Sequence, residues 1–352
     1  MENERTIVEG SKSLMCYKDI KKICSENNLY ETDELNEVLY LHMKGFHNID
    51  GLSTFKNLKC LFLNNNCIRK IDNLNALTNL KALYLQNNDI TKIENIECSS
   101  LVILNLSNNK IKKISNLQPL KSLQTLNISN NLLENIDDIK EIANLENLTH
   151  LDLSNNNLNF NNDKDIPDSH DHINKSGNND DEERVYLNEV KWEQMETYPS
   201  ENESKNKFTE FINFYKNFHE EVNKNENYDY VKYHQNVEIM DALTKKKIFF
   251  LCEFIILLKK VKKLKTLFVK NNPFSNKIRH VSRYLIANIP RLVFLDDKKI
   301  KKEDVCLARI FLKRGTKEEH ELKKIFEKKK IDKYKNLTEK FHSFLLAKSE
   351  KV

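Results

Sequence analysis

Between Leu39 and Leu158 the apolar and polar positions follow one short pattern that keeps returning. Aligned on a single leucine it gives Leu39, Leu61, Leu83, Leu104, Leu126 and Leu151, in steps of 22, 22, 21, 22 and 25 residues. In the unit LKCLFLNNNCIRKI, the apolar Leu58, Leu61, Leu63, Ile68 and Ile71 all point inward if residues 61–63 form a short strand and the chain then turns back. Such a turn leaves backbone N–H and C=O groups facing the interior. A buried amide side chain, donor and acceptor at once, satisfies them. Asparagine stands ready for this as Asn66, Asn88, Asn109, Asn131 and Asn156, each three residues after the last apolar strand position. Lys44 takes the slot in the first unit, as expected of a terminal turn.

One unit cannot bury its apolar face, whereas a stack can, and its stability comes from neighbour contacts. The pattern therefore predicts an α/β fold, a leucine-rich-repeat solenoid of about seven repeats of about 22 residues. Short parallel strands line its concave face, with a helical cap ahead of them and a repeat-type cap and trailing helix behind. Residues 1–16 are polar and expected to be frayed; 17–37 form the N-terminal cap, with Ile20, Ile23 and Cys24 at helical spacing and a second turn at Thr32, Asp33 and Glu34. Repeats one to six occupy 38–158. Residues 159–247 are a low-complexity acidic insert, and 208–222 within it read as a helix with Phe208, Phe211, Ile212, Phe214, Tyr215 and Phe218 on a crowded aromatic face. The seventh repeat and its cap occupy 248–297, where Leu264, Leu267, Val269 and Asn272 restore the pattern, and a basic helical tail fills 298–352. The most economical account of the insert is a loop expelled from a continuous solenoid.

Composition adds constraints. Hydrophobic residues make up 39% of the 352, enough for a sizeable core, while five glycines argue against a fold needing many left-handed turns or a phosphate-cradling loop. Seven cysteines, an odd number without a C-x-x-C pair, read as buried small apolar groups in a reducing compartment. The opening MENERTIVEG lacks the apolar core of a secretory signal, so the N-x-S/T triplets at Asn105, Asn127, Asn147, Asn202 and Asn336 are not expected to meet a glycosylating enzyme. The most apolar run, residues 248–258, is too short for a membrane span and reads as a buried helix. Charge is uneven: residues 1–158 hold 17 basic against 20 acidic side chains, 159–245 hold 10 against 20, and 259–352 hold 28 against 11.

Alternate strand side chains point to opposite faces, so the residue between the two strand leucines lies on the concave surface. That column reads Tyr40, Phe62, Tyr84, Asn105, Asn127, Asp152 and, in the seventh repeat, Phe268. Three aromatic rings in neighbouring rungs predict an exposed apolar stripe beside a polar half, a typical protein-contact anchor; the alternative is that Phe62 and its neighbours pack on each other or on the acidic insert. The flanking columns are Cys60, Ala82, Ile103, Thr125 and His150 on one side and His42, Asn64, Gln86, Ser107 and Ser129 on the other. His42 and His150 stand too far apart in the stack to share a metal. Asp163, Asp165, Asp168, Asp171, His170 and His172 in the insert lack the glycine and glutamate spacing of a calcium loop. No phosphate loop, H-E-x-x-H, G-x-S-x-G or paired nucleophilic cysteine is present. The reading is a non-enzymatic interaction solenoid with no cofactor and no metal.

The run IKKICSENNLYETDELNEVLYLHMKGFHNIDGL, continuing through LKCLFLNNNCI, resembles the start of the axonemal dynein assembly factor 1 family, whose cap of NLYxTxELNxxLYLHxKGF type is not repeat consensus. Further on, Pro273, Tyr284, Ile289, Pro290, Leu292, Leu295 and Asp296 resemble the C-terminal repeat cap, and Arg314 and Gly315 resemble the step beyond it. The insert is the departure from the family pattern. The resemblance implies a cytoplasmic factor, also to be sought at the cilium or flagellum. It implies that axonemal dynein heavy or intermediate chains are held, beside co-chaperones, while dynein arms are preassembled for motility. The basic tail adds tubulin or microtubules, or the chain's own acidic insert, as candidate partners; no membrane and no nucleic acid are expected. Repeats of this length also occur in a spliceosomal, RNA-associated protein and in a phosphatase regulatory subunit, which are the competing classes.

Overall fold

The computed structural model describes residues 13–160, 242–314 and 316–349. They fall into two compact units. The first comprises the described residues through 160, 242–282 and 288–300; the second comprises 283–287, 301–314 and 316–349.

The first unit is one nine-stranded sheet in strict sequence order. Its strands are β1 Val38–Tyr40, β2 Cys60–Phe62, β3 Ala82–Tyr84, β4 Ile103–Asn105, β5 Thr125–Asn127, β6 His150–Asp152, β7 Thr266–Phe268, β8 Phe294–Leu295 and β9 Lys298–Lys299. β1 to β8 pair in parallel and β9 returns antiparallel. The rungs are in register, so Leu39, Leu61, Leu83, Leu104, Leu126, Leu151 and Leu267 form one column without solvent exposure. Each rung turns its middle side chain inward and its two neighbours toward the concave face, the pleat that the leucine spacing predicts.

The convex side is wound by tight turns. Leu77 N–H donates to Leu74 O at 2.9 Å and Leu80 N–H to Leu77 O at 3.1 Å, and the same i+3 to i step joins Leu120 to Leu117 and Leu123 to Leu120. Between β5 and β6 two short 3₁₀ segments, Ile136–Asp138 and Lys140–Asn144, take up the longer 25-residue step. Extra length is absorbed where the chain is curved, and the strand register stays intact.

The asparagine ladder closes the other edge. Asn109 Nδ2 donates to Leu85 O and Leu106 O, both at 3.0 Å, while its Oδ1 accepts from Ile90 N–H at 3.0 Å. Asn88, Asn131 and Asn156 repeat this set, each tying its own turn to the one before. Asn66 serves the first turn, where Lys44 stands, by accepting from both Lys44 N–H and Phe46 N–H at 3.1 Å. Asn272 continues the series beyond the insert: it donates to Leu153 O at 2.9 Å and accepts from Leu158 N–H at 3.1 Å. The ladder ends on Asp296, whose Oδ1 accepts from Val269 and Lys270 N–H at 2.8 and 2.9 Å.

Scarce glycine does not mean scarce left-handed turns, and here the sequence expectation is corrected. Asn65, Asn87, Asn108, Asn130, Asn155 and Asn271, each just before a ladder asparagine, have φ of 52 to 59°. So do Asn73, Asn95 and Asn116 on the convex side, whose Nδ2 atoms bond Ile49 O, Ile71 O and Ile93 O in the preceding turns at 2.8 to 2.9 Å. Asparagine enters the left-handed region more readily than other residues with a side chain, and on the convex side the bond to the preceding turn holds it there. Gly51 holds the corresponding first position at φ 72°, where a Cβ would lie 2.5 Å from the Tyr17 backbone nitrogen.

That contact belongs to the N-terminal cap, helix α1 (Tyr17–Glu26), which buries Ile20, Ile23 and Cys24. Tyr17 Oη donates to Asp33 Oδ2 at 2.8 Å and Lys21 Nζ to Asp33 Oδ1 at 3.0 Å, pinning the helix to the turn ahead of β1. Residues 13–16, expected to be frayed, lie against this end: Ser13 bridges Phe46, Met15 N–H donates to Asn48 Oδ1 at 2.8 Å, and the Met15 side chain is buried. An apolar methionine gives this short stretch a reason to fold back.

Helix α2 (Ala242–Lys260) starts inside the stretch assigned to the insert. Its Phe250 and Phe254 pack on Phe274 at 5.0 and 5.1 Å between ring centroids. The guanidinium of Arg291 donates to Leu258 O and Val261 O at 2.6 and 2.9 Å and so caps the helix end. The short helix α3 (Pro273–Lys277) follows β7. The aromatic segment 208–222 and the Asp/His cluster of the insert lie outside the described residues.

In the second unit, part of helix α4 (Val281–Asn288) joins an α-hairpin of α5 (Lys302–Arg314) and α6 (Thr316–Ser349). Tyr284 meets Phe311 edge-on at 5.7 Å, Arg283 lies over the same ring at 5.0 Å, and Arg283 Nε donates to Glu319 Oε1 at 2.8 Å.

Candidate partner-binding site

Sheet register puts the between-leucine residues in one file on the concave face: Tyr40, Phe62, Tyr84, Asn105, Asn127, Asp152 and Phe268. Parallel strands about 4.8 Å apart hold aromatic rings at stacking distance without adjustment. Tyr40 and Phe62 stack at 5.1 Å and 12°, and Phe62 and Tyr84 at 4.6 Å and 2°. Each ring covers a face of the next, which leaves Phe62 and Tyr84 half-buried and Tyr40, at the end of the row, 41% exposed. Burial also pushes the Tyr84 phenol above its ordinary range.

One flank of the row is small and apolar (Cys60, Ala82, Ile103) and the other polar (His42, Asn64, Gln86), all half-buried. His42 meets Tyr40 edge-on at 6.2 Å; His42 Nδ1 and Gln86 Oε1 are buried without a hydrogen-bond partner. His150, at the far end of the stack, is exposed and its Nδ1 lies 2.7 Å from Thr149 Oγ1.

The polar half of the file is not equivalent to the aromatic half. Asn105 Oδ1 accepts from Ser107 N–H at 3.1 Å, and Asn127 Oδ1 accepts from both the N–H and the hydroxyl of Ser129 at 3.0 and 2.8 Å. Asp152 Oδ1 does the same with Ser154 at 2.9 and 2.6 Å. These are Asx turns that end the strands. Two of the N-x-S triplets noticed in the sequence are therefore strand exits, with the Ser107 and Ser129 side chains buried. The signal was visible as Asn/Asp-x-Ser recurring at the repeat spacing. Phe268 stands beyond Asp152, half-buried and separate from the aromatic row.

Cysteine placement departs from the sequence expectation that all seven are buried. Cys24, Cys98 and Cys252 are buried, Cys60 and Cys67 half-buried, and Cys16 and Cys306 exposed. Cys16 opens α1, and its thiol donates to Asp19 Oδ2 at 3.0 Å, a capping task that keeps it at the surface. Burial pushes the Cys98 thiol up to about 11 and the Cys252 thiol up to about 12. Among the described residues no group of three or more His, Cys, Asp or Glu side chains is placed to hold a metal, and no helix is long and apolar enough to cross a membrane.

Family models for leucine-rich repeats match residues 78–120, as two copies, and 147–169. Relatives similar to the repeat region carry the name dynein axonemal assembly factor 1. The Drosophila melanogaster homologue is 46% identical over 54 residues, 15% of this chain and 4% of its own length. The Anopheles gambiae homologue is 50% identical over 54 residues, 15% of this chain and 6% of its own. The human protein is 46% identical over 49 residues, 14% of this chain and 7% of its own. The match thus spans a small fraction of each relative. Among solved structures, an internalin from Listeria monocytogenes is similar at 31% identity over 34% of this chain and 35% of its own, with a TM-score of 0.32. The chain is a leucine-rich-repeat protein, and its repeat region is similar to that of the dynein axonemal assembly factor 1 proteins.

Proposed function

We propose that this protein is a non-enzymatic cytoplasmic scaffold that holds axonemal dynein chains during preassembly of the arms that drive cilia and flagella. The observation that carries the reading is the row Tyr40, Phe62 and Tyr84, whose rings stack at 5.1 and 4.6 Å on the concave strand face. Such a row is rigid before a partner arrives, so little side-chain entropy is lost on contact, and aromatic anchors of this kind dominate protein interfaces. The relatives are named dynein axonemal assembly factor 1, and on this reading the surface takes dynein heavy or intermediate chains and their co-chaperones. Asn105, Asn127 and Asp152 extend the contact as a polar rim, and Phe268 supplies a second apolar point. The basic tail is a secondary candidate for tubulin.

The test is the triple variant Tyr40→Ser, Phe62→Ser, Tyr84→Ser, compared with wild type in pulldowns from cells building axonemes. The solenoid should remain folded by circular dichroism, because none of the three belongs to the leucine column, and dynein chains should be lost from the eluate. Undiminished recovery of dynein chains by a folded triple variant refutes the site.

A further inference from the structure

The second half of helix α6 is longer than its hairpin partner. Glu303, in the first turn of α5, bonds Lys330 at 2.8 Å, so α5 is used up where α6 has reached its middle. Residues 331–349 continue for about 28 Å at 1.5 Å per residue. On this overhang Tyr334, Leu337 and Phe341 are 72%, 61% and 62% exposed. Their spacing of three and four residues puts them on one helix stripe. Lys329, Lys333 and Lys340, with Asp332 and Asn336 at its edge, line a shallow depression beside Leu337 on one flank. On the overhang the helix repeat leaves the other flank to Ile331 and Thr338 and carries Lys335 round toward the back, beside Asp332 and Glu339.

We infer that the overhang of α6 docks an amphipathic helix of another polypeptide, one whose apolar stripe is flanked by Asp and Glu. The lysine row on one flank selects that charge. A second copy of this chain would bring lysine rows against lysine rows. The chain's own insert splits the two requirements: residues 163–203 hold 13 acidic against 4 basic side chains but few apolar ones. The aromatic-rich residues 205–226 hold 4 Lys against 4 Glu and so offer no complementary charge. This surface is independent of the concave row, and its test does not depend on dynein binding.

The probe is a fluorescein-labelled amphipathic helical peptide with leucine at heptad a and d positions and glutamate on the flanks, titrated into the full-length protein. A control peptide carries lysine in place of each glutamate. The acidic peptide should bind about tenfold more tightly, with an affinity that falls as salt rises, because complementary flanks set partner choice. Leu337→Glu and Phe341→Glu, both surface changes, should each abolish binding. Lys333→Glu with Lys340→Glu should reverse the preference between peptides while α6 stays helical by circular dichroism. Equal binding of both peptides, or no loss in the variants, overturns the inference. So does a dimer by sedimentation that Leu337→Glu dissolves, binding to anionic vesicles without binding to the peptide, or amide protection over 334–341 in the free protein that Phe211→Glu removes.

Discussion

Asn108 and Asn109 are neighbours with separate tasks, and replacing each one alone measures them. Asn109 is buried and serves Leu85 O, Leu106 O and Ile90 N–H. Asn109→Leu keeps the volume but strands the Ile90 N–H in a dry interior and removes one of two bonds from each carbonyl, since Leu85 O still accepts from Asn88 and Leu106 O from Asn131. At about 1–3 kcal/mol for the buried N–H left unsatisfied and about 0.5–1.5 kcal/mol for each of the two lost carbonyl bonds, the loss is about 2–6 kcal/mol, a large share of the roughly 5–15 kcal/mol by which a domain is stable. Asn108 is exposed with φ 55° and carries the backbone cost instead. Asn108→Ala should lose about 1 kcal/mol to left-handed strain, and Asn108→Gly only a few tenths, since glycine adopts that region freely. Urea denaturation followed by circular dichroism gives the three values. An Asn109→Leu loss below about 1 kcal/mol, or an Asn108→Ala loss equal to it, refutes the division of labour.

Three further outcomes follow from the same geometry. Replacing residues 162–240 by a Gly/Ser linker of about ten residues should leave the solenoid intact and stabilise it by about 2 kcal/mol, because Asn272 already joins the turns on either side and a shorter loop costs less entropy to close; loss of the far-ultraviolet spectrum or of cooperative unfolding would count against it. Burial raises the Asp33 carboxyl, but hydrogen bonds from Thr54, Lys21 and Tyr17 outweigh it and the folded value is lowered. The cap is therefore held fully above the unfolded carboxylate value near 3.9 and loosens as pH falls through the lower folded value; Asp33→Asn should abolish this acid-dependent rise in α1 amide exchange. With an aromatic disulfide reagent near pH 8, Cys16 and Cys306 should react at once, while Cys98 and Cys252, buried and raised to about 11 and about 12, should wait for unfolding; early modification of Cys252 would contradict its placement.

The repeat was legible in the sequence because its signal is local. A leucine every other residue and an asparagine three positions on decide which side chains face inward from a few bonds of geometry. Spacing of about 22 residues then stacks identical units without further information. Leu39 to Leu267, the ladder from Asn66 to Asn272, the aromatic column and the break in the pattern after Asn156 could all be read this way. What stayed hidden depended on atoms brought together across turns or on backbone angles. Glycine counting missed the left-handed asparagines, since the count measures one residue's freedom and not asparagine's tolerance of that region, held on the convex side by side-chain bonds to the preceding turn. The side-chain oxygens of Asn105, Asn127 and Asp152 looked free until the strand exits placed Ser107, Ser129 and Ser154 against them. Met15 and Cys16 read as frayed chain because nothing in their neighbours says that Asn48 waits opposite. The reach of α6 beyond α5 required the Lys330 to Glu303 bond to show where the shorter helix stops. The sequence by itself determined the coil and its inward faces, because periodicity is written in every turn. Only the tertiary structure decided which outward groups are already occupied and which are left for a partner, because that depends on distances between residues the sequence keeps apart.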